Sequence, residues 1–198
     1  MIDLLGSGNH GQTPLDSDEV DGLIPSWITT QGDLDRAEQG NIAKAELWAA
    51  RLSLTPAVVL DEPFVRRLHK RMFGDVWRWA GTYRHSNKNI GVDHWQIVQE
   101  IGQLLANANH WVDNDTFPRD ELVVRVHHRL VWIHPFANGN GRISRLAADL
   151  LLESLGEKRF SWGASLAADP AELRRVYIDA LRAADAGDVE PLVDFVRL

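Results

Sequence analysis

Apolar residues recur at intervals of three and four along most of this 198-residue chain, and that spacing restricts its fold more than any other feature. A segment with this spacing has one apolar face when it is helical, whereas a half-buried strand needs strict alternation. Proline and glycine interrupt the runs, as they do at helix boundaries. The spacing predicts an all-α bundle with helices over about 33–50, 61–74, 93–111, 122–133, 142–156, 170–184 and 191–196.

The segment from Trp77 to Val92 does not follow the helical spacing. Its β-forming residues, which include Tyr83 and Ile90, flank a polar centre at 86–89. This pattern is typical of two short strands joined by a turn. We therefore expect a small β-hairpin here, forming a flap on the helical bundle.

Residues 1–32 are rich in Gly, Pro, Asp, Ser and Thr and contain few periodic apolar positions. This composition favours an extended or loosely ordered N-terminal arm. No linker or internal repeat divides the rest of the chain. We expect one domain at 33–198, with the helix at 33–50 as its first element.

The composition excludes several classes of function. A net charge of −7 argues against direct binding of nucleic acid, because such binding needs a basic surface. The absence of cysteine excludes disulfides, thiol catalysis and Cys-based zinc sites. The N-terminus lacks the pattern of a signal peptide, and no window reaches the ~18 consecutive apolar residues of a membrane span. We expect a cytoplasmic protein without a membrane partner.

The segment 134–145, His-Pro-Phe-Ala-Asn-Gly-Asn-Gly-Arg-Ile-Ser-Arg, has the strongest chemical pattern in the chain. Pro135 disfavours helix in the residue before it, so one helix ends at or before His134. Gly139 and Gly141 let the backbone bend and let a ligand approach it closely. A new helix follows, and its first N–H groups and its dipole point into the turn, which predicts an anion-binding site.

Two arginines and a histidine border this turn. Arg142 and Arg145 are three residues apart and share one side of the new helix, and two guanidinium groups beside a helix start suit a polyphosphate. The imidazole of His134, with an ordinary pKa of about 6.5, can accept a proton from an attacking hydroxyl. The three side chains and the turn predict a site for phosphoryl or nucleotidyl transfer.

Simpler interpretations stay open at this point. A glycine-rich turn between helices often only connects them, and a histidine before proline is often a packed residue. His127 shares a helix face with His134, so the two could bind a metal, although the pattern His-Glu-x-x-His is absent. A P-loop NTPase is excluded, because the chain has no Gly-x-x-x-x-Gly-Lys-Ser/Thr.

The segment 134–145 resembles the signature of the Fic (Fido) family, His-Pro-Phe-x-Asp/Glu-Gly-Asn-Gly-Arg-x-x-Arg, with one departure. The stretches TPLDSDEVDGLIPSWITT, RMFGDVWRWAGTYR and HHRLVWIHPFANGNGR resemble the subgroup called mobile mystery protein B. The resemblance implies an all-α Fic core that moves AMP from ATP to a Tyr, Thr or Ser hydroxyl of a protein. It also implies that His134 is the general base and that Mg²⁺ accompanies the nucleotide.

The same resemblance implies roles for the neighbouring residues. The backbone amides of Gly139, Asn140 and Gly141 would hold the phosphates, with Arg142 and Arg145 toward the β and γ groups. The expected hairpin is similar to the flap of the family, which binds its target by strand addition. The implied target-binding residues are Tyr83, Lys88, Asn89 and Ile90.

Asn138 stands where the signature has Asp or Glu. In the family a carboxylate there helps to hold Mg²⁺, whereas an amide oxygen can be a ligand but brings no negative charge. The substitution predicts weak metal binding at Asn138. It also leaves open another nucleotidyl or phosphoryl transfer, the removal of AMP, or a non-catalytic regulator that binds nucleotide.

Many Fic proteins carry an inhibitory helix whose glutamate pairs with the second signature arginine, which is Arg145 here. Glu38, in the helix predicted at 33–50, is the candidate, although Leu34 and Gln39 depart from the pattern Ser/Thr-x-x-x-Glu-Gly/Asn. The simpler interpretation is a solvated helix residue. The resemblance also implies a helix-turn-helix regulator as a partner.

Overall fold

A computed structural model describes residues 15–198 of the chain. Its regular structure is helical, and no strand occurs in these residues, which confirms the all-α class. The arm predicted at 1–32 falls partly on residues 1–14, which lie outside the described residues. Its remaining part contains one helical turn and an isolated antiparallel bridge between Leu23 and Trp77.

The helices follow the predicted order, with small shifts at their ends. They are α1 (Ser17–Val20), α2 (Gln31–Ala49), α3 (Pro56–Val59), α4 (Glu62–Phe73), α5 (Ile97–Asp113), α6 (Arg119–Ile133), α7 (Asn140–Ser154), α8 (Pro170–Asp185) and α9 (Glu190–Arg197). The spacing of apolar residues predicts all of these except the short α1 and α3. Among the helices described, none has both the length and the apolarity that crossing a bilayer requires.

α2 begins at Gln31, earlier than the predicted residue 33, because Thr30 is its N-cap. The Thr30 hydroxyl accepts from the backbone N–H of Asp33 at 3.1 Å, and the Asp33 carboxylate accepts from the backbone N–H of Thr30 at 3.0 Å. This reciprocal capping box places Asp33 in the first turn. Glu38 then lies on the buried face of α2 with Leu34 and Ala45.

The prediction of a β-hairpin within 77–92 is wrong, because the structure contains no strand pair there. Residues 84–92 form an irregular loop, called the flap loop below. Just before it, Tyr83 makes one isolated antiparallel bridge with Phe136. A single bridge is not a ladder, so the flap carries no strand pair of its own.

Side-chain hydrogen bonds close the flap loop in place of a ladder. The carbonyls of Ser86 and Val92, which a hairpin would use for pairing, accept from the guanidinium of Arg84. Asn87 donates to the carboxylate of Asp93 at 2.8 Å. The polar centre that predicted a turn therefore bonds through its side chains, and the backbone follows an irregular path.

α6 and α7 form the centre of the bundle. α5 and α9 pack on α6, α3 and α4 pack on α7, and α2 packs on α4. Fully buried side chains fill the space between them, namely Phe64, Leu68, Ile101, Leu122, Ile133, Ile143 and Leu150. This arrangement places the connection between α6 and α7 beside α4.

Replacing Ile101 by alanine should lower the free energy of unfolding by about 2–5 kcal/mol, because its fully buried side chain leaves a cavity in the core. The matched control is Val98→Ala in the same helix, at a residue that is 61% exposed. Its effect should stay within about 0.5 kcal/mol. Urea denaturation measures both variants, and equal losses would contradict the packing of α5.

Candidate functional site

Residues 134–139, called the motif loop below, turn the chain between α6 and α7 through two left-handed backbone conformations. His134 ends α6 with φ 54°, and Gly139 precedes α7 with φ 77°. Glycine adopts positive φ without strain, whereas a histidine there is strained, so the surroundings must hold His134 in place. Pro135 prevents α6 from continuing through the bend.

Two hydrogen bonds within the segment fix the shape of the motif loop. The side-chain oxygen of Asn140 accepts from the backbone N–H of Phe136 at 2.9 Å, and its amide nitrogen donates to the carbonyl of Phe136 at 2.8 Å. Both residues are buried. The side chain of Asn140 therefore serves the loop itself, and only its backbone N–H is left for a ligand.

The start of α7 offers two backbone donors. The N–H groups of Asn140 and Gly141 have no acceptor within residues 15–198. The N–H of Gly139 differs, because it donates to the side-chain oxygen of Asn138 at 2.6 Å. Two of the three implied phosphate donors are thus open, at the end of α7 where the helix dipole favours an anion.

His134 lies at the end of α6 and is only 6% exposed. Its Nδ1 lies 3.3 Å from the carbonyl oxygen of Val131, which assigns the proton to Nδ1 and the lone pair to Nε2. Burial lowers the pKa of this imidazole to about 4, and the positive charges of Arg84 and Lys88 act in the same direction. The ring is neutral at pH 7, which is the form that can accept a proton.

His69, on α4, supports the motif loop, and the sequence reasoning missed it. Its Nδ1 accepts from the N–H of Gly81 at 2.9 Å, so its Nε2 donates to the carbonyl of Asn138 at 3.1 Å. The ring also stacks on Phe136, with centroids 3.8 Å apart. Burial lowers the pKa of the imidazole to about 3, which keeps it neutral. The only sequence signal was a histidine within the apolar face of α4.

Arg142 pairs with Glu38 of α2. Their Nη1 and Oε2 atoms are 2.5 Å apart, and the other carboxylate oxygen accepts from the indole N–H of Trp77 at 2.7 Å. Glu38 is therefore buried and bonded, not solvated. The resemblance implies Arg145 as the partner of an inhibitory glutamate, but the structure pairs Glu38 with Arg142.

Arg145 lies one turn further along α7. It pairs with no carboxylate in the described part of the chain, and its guanidinium lies 5.8 Å from the centroid of the Tyr177 ring. The side chain is partly exposed. The two arginines predicted for a polyphosphate thus differ, because Glu38 compensates the charge of Arg142, whereas no carboxylate among residues 15–198 pairs with Arg145.

The described residues do not assemble a metal site. The Oδ1 of Asn138 accepts from Gly139 and lies 3.4 Å from Nη2 of Arg142, an environment that suits an acceptor better than a cation ligand. His127 is bonded to the hydroxyl of Tyr177 at 3.0 Å. No group of three or more His, Asp or Glu side chains is placed to hold a metal in the part that the structure describes. Neither Asn138 nor the histidine pair fits a metal in this arrangement, so no chemical step is assigned to one.

The flap loop is attached to the N-terminal arm. The side chain of Lys88 is 3% exposed, with its Nζ 2.9 Å from a carboxylate oxygen of Asp16 and 2.5 Å from one of Glu19. Tyr83 instead contacts the motif loop, with its ring centroid 5.5 Å from that of Phe136. The other two residues implied in target binding are exposed, namely Asn89 and Ile90.

Comparison with known proteins points to one family. A model of the Fic/DOC family matches residues 59–152, from the end of α3 to most of α7. The protein adenylyltransferase Fic of Drosophila mojavensis is 29% identical over 149 residues, which cover 73% of this chain and 28% of that protein. The chain thus spans well under a third of the length of this curated relative.

Solved Fic domains share the fold. The N-terminal Fic domain of an effector protein from Bartonella sp. AR 15-3 has a TM-score of 0.69 at 18% identity, covering 96% of this chain and 93% of that chain. A Fic domain from Bartonella quintana with bound ADP has a TM-score of 0.67 at 20% identity, covering 87% and 86%. The family model supports the Fic/Fido family and these neighbours show its fold, while the mobile mystery protein B subgroup stays a prediction.

Gly139→Ala should lower the free energy of unfolding by about 1–3 kcal/mol. Gly139 has φ 77°, and an added Cβ would lie 2.6 Å from the ring of Phe73. The matched control is Gly141→Ala, where a Cβ meets nothing within 4 Å and alanine should stabilise α7 by up to about 1 kcal/mol. Urea unfolding compares the two, and equal stabilities would argue against the left-handed turn.

Proposed function

We propose that this protein is a nucleotidyltransferase that moves AMP from ATP to a Tyr, Thr or Ser hydroxyl of a protein. One observation carries the proposal. A neutral imidazole, that of His134, and the open N–H groups of Asn140 and Gly141 border the same loop, and Arg145 follows on the next turn of α7. The relative named protein adenylyltransferase and the neighbour with bound ADP support this chemistry at the level of the family.

In the proposed reaction, Nε2 of His134 accepts the proton of the acceptor hydroxyl. The hydroxyl oxygen attacks the α-phosphorus of ATP, and a new P–O bond forms. The bond between the α-phosphorus and the oxygen that bridges to the β-phosphate breaks, and pyrophosphate leaves with that electron pair. The proton held by His134 then passes to solvent or to the leaving group.

The acceptor must displace neighbouring atoms to reach this nitrogen, since His134 is only 6% exposed. The flap loop lies against it, and a Cβ added at Gly91 would be 2.6 Å from the Cβ of His134. We therefore assign the flap loop, with Tyr83, Asn89 and Ile90, to acceptor binding. Lys88 joins this surface only if it leaves the carboxylates of the arm.

The phosphates would bind the N–H groups of Asn140 and Gly141 and the guanidinium of Arg145. Any Mg²⁺ would be held by the phosphates and water, since the surroundings of Asn138 do not suit a cation. Arg142 becomes available only when its salt bridge with Glu38 opens. We infer that α2 restrains the activity through Glu38, acting on Arg142.

The proposal extends to the wider organisation of the protein. The proposal comprises an arm at 1–32, a catalytic domain at 33–198, a cytoplasmic location, and a helix-turn-helix regulator as a partner.

A non-catalytic regulator that binds nucleotide is the second candidate function. The low exposure of His134 favours that candidate.

Labelled ATP distinguishes these functions. Label at the α-phosphate should become attached to protein, and label at the γ-phosphate should not, because pyrophosphate carries it away. His134→Ala should lower the transfer rate by about 10²–10⁴-fold, since the proton acceptor is lost. The control is His128→Ala, at a residue that pairs with Asp185 away from the motif loop. Transfer of γ-label would indicate kinase-like chemistry, and ATP binding without transfer of either label would favour the regulator.

Glu38→Gly should raise the transfer of α-label by about fivefold, the ratio that corresponds to an ion pair of about 1 kcal/mol. The reason is that Arg142 no longer has a competing carboxylate. The matched control is Glu46→Gly, which places the same residue at an exposed position of α2. No increase in a folded Glu38 variant, or an equal increase in the control, would contradict the restraint.

A further inference from the structure

Arg84 is the first residue of the flap loop, and no carboxylate within residues 15–198 is hydrogen-bonded to its guanidinium. The residue is 4% exposed. Within residues 15–198, its hydrogen bonds all go to backbone carbonyls. A buried guanidinium normally pairs with a carboxylate or a phosphate, so this placement needs a specific reason.

The carbonyls that receive these hydrogen bonds belong to two separate segments. Nε donates to the carbonyl of His134 at 2.7 Å, and Nη2 lies 3.5 Å from the carbonyl of Ile133. Nη1 donates to the carbonyl of Ser86 at 2.7 Å, and Nη2 donates to that of Val92. One side chain therefore joins both ends of the flap loop to the end of α6.

The end of α6 requires such a partner. The last carbonyls of a helix have no donor within the helix and carry the negative end of its dipole. His134, in its left-handed conformation, turns out of the helical path. A guanidinium supplies five donors in one plane, whereas a lysine supplies the same charge from a single point.

The backbone of the flap loop also touches the end of α6 directly. The N–H of Val92 donates to the carbonyl of Ile133 at 3.3 Å. A Cβ added at Gly91 would lie 2.6 Å from the Cβ of His134 and 2.9 Å from Nη2 of Arg84. The loop, the guanidinium and the histidine are in mutual contact, so a shift of one moves the others.

We propose that Arg84 is a positioning residue that holds the imidazole of His134 and the flap loop in one fixed relation. The inference rests on the proposed function, because that function assigns these two elements to the proton acceptor and to the binding of the protein acceptor. Arg84 makes no contact with the open N–H groups of Asn140 and Gly141. Its loss therefore affects the transfer step and leaves ATP binding unchanged.

Arg84→Lys keeps the charge and removes the planar set of donors. Its kcat for transfer of α-label should fall about ten- to hundredfold, the loss typical of a misplaced catalytic group. The Kd for ATP should change by less than about twofold, and the amide of Val92 should exchange its hydrogen faster. The control is Arg197→Lys. In the wild-type protein the Arg197 guanidinium bonds the carbonyls of Lys158 and Arg159, far from the motif loop. It should retain all three wild-type values.

A second pair of variants tests the same contact without changing Arg84. Gly91→Ala inserts a methyl group between the flap loop and His134 and should reproduce the loss in kcat. Gly187→Ala is its control, because the two glycines have φ values of 95° and 97° and only Gly187 has no atom within 4 Å of an added Cβ. This pair carries the test if Arg84→Lys does not fold.

Wild-type kcat and wild-type exchange at Val92 in Arg84→Lys would overturn the inference and leave the transferase proposal intact. If the wild-type protein transfers no label, the transferase proposal fails instead. Exchange at Val92 needs no activity, so it still decides whether Arg84 holds the flap loop against α6.

Discussion

The bend between α6 and α7 determines where every other part of the candidate site lies. The side chain of Asn140 is used to close this bend on Phe136, and the imidazole of His69 is used to hold the carbonyl of Asn138. These two polar side chains therefore stabilise the loop and do not face a ligand. The bend itself therefore offers an anion only backbone donors, the N–H groups of Asn140 and Gly141, and Arg145 follows one turn along α7. Recognition by backbone donors at a helix start depends on the shape of the bend, which explains why so many buried contacts stabilise it.

The whole chain is net negative, but the charges closest to His134 at the bend are positive. The cations of Arg84 and Lys88 lie close enough to His134 to lower its pKa, in addition to the effect of burial. A base with a pKa of about 4 is unprotonated at neutral pH, but it binds a proton only weakly. Under the proposed function, a bound triphosphate would bring negative charge to the same region and raise that pKa. The imidazole would then become a stronger base when the nucleotide is present.

The sequence predicted the elements whose boundaries depend on local chemistry. Pro135 and Gly139 mark the motif loop by their backbone preferences alone, and the apolar spacing indicates the helices on both sides. The start of α2 was misplaced, because Thr30 and Asp33 are both capping residues and only their reciprocal bonds show which one is the N-cap. Local sequence pattern was sufficient where the backbone preferences of single residues determine the structure.

Contacts between distant segments could not be read in this way. The hairpin failed because Arg84 takes the carbonyls that a ladder would use. Glu38 was singled out, but its choice of Arg142 depends on how α2 packs on α4 and how α4 meets α7. His69 appeared only as one polar residue on an apolar helix face. The outcomes for Glu38 and His69 need the relative position of two helices, which periodicity does not specify.

The two halves of the candidate site differ in how far they are from a binding-competent state. On the phosphate side, two N–H groups and Arg145 are already open, and only Arg142 is held, by Glu38. On the acceptor side, Arg84 bonds the flap loop from within, and the arm bonds it from outside through Lys88. A protein segment that adds to the flap as a strand needs free backbone groups, and the carbonyls of Ser86 and Val92 and the N–H of Val92 are already bonded. Under the proposed function, the nucleotide therefore binds first, and the acceptor follows only after the flap loop has rearranged.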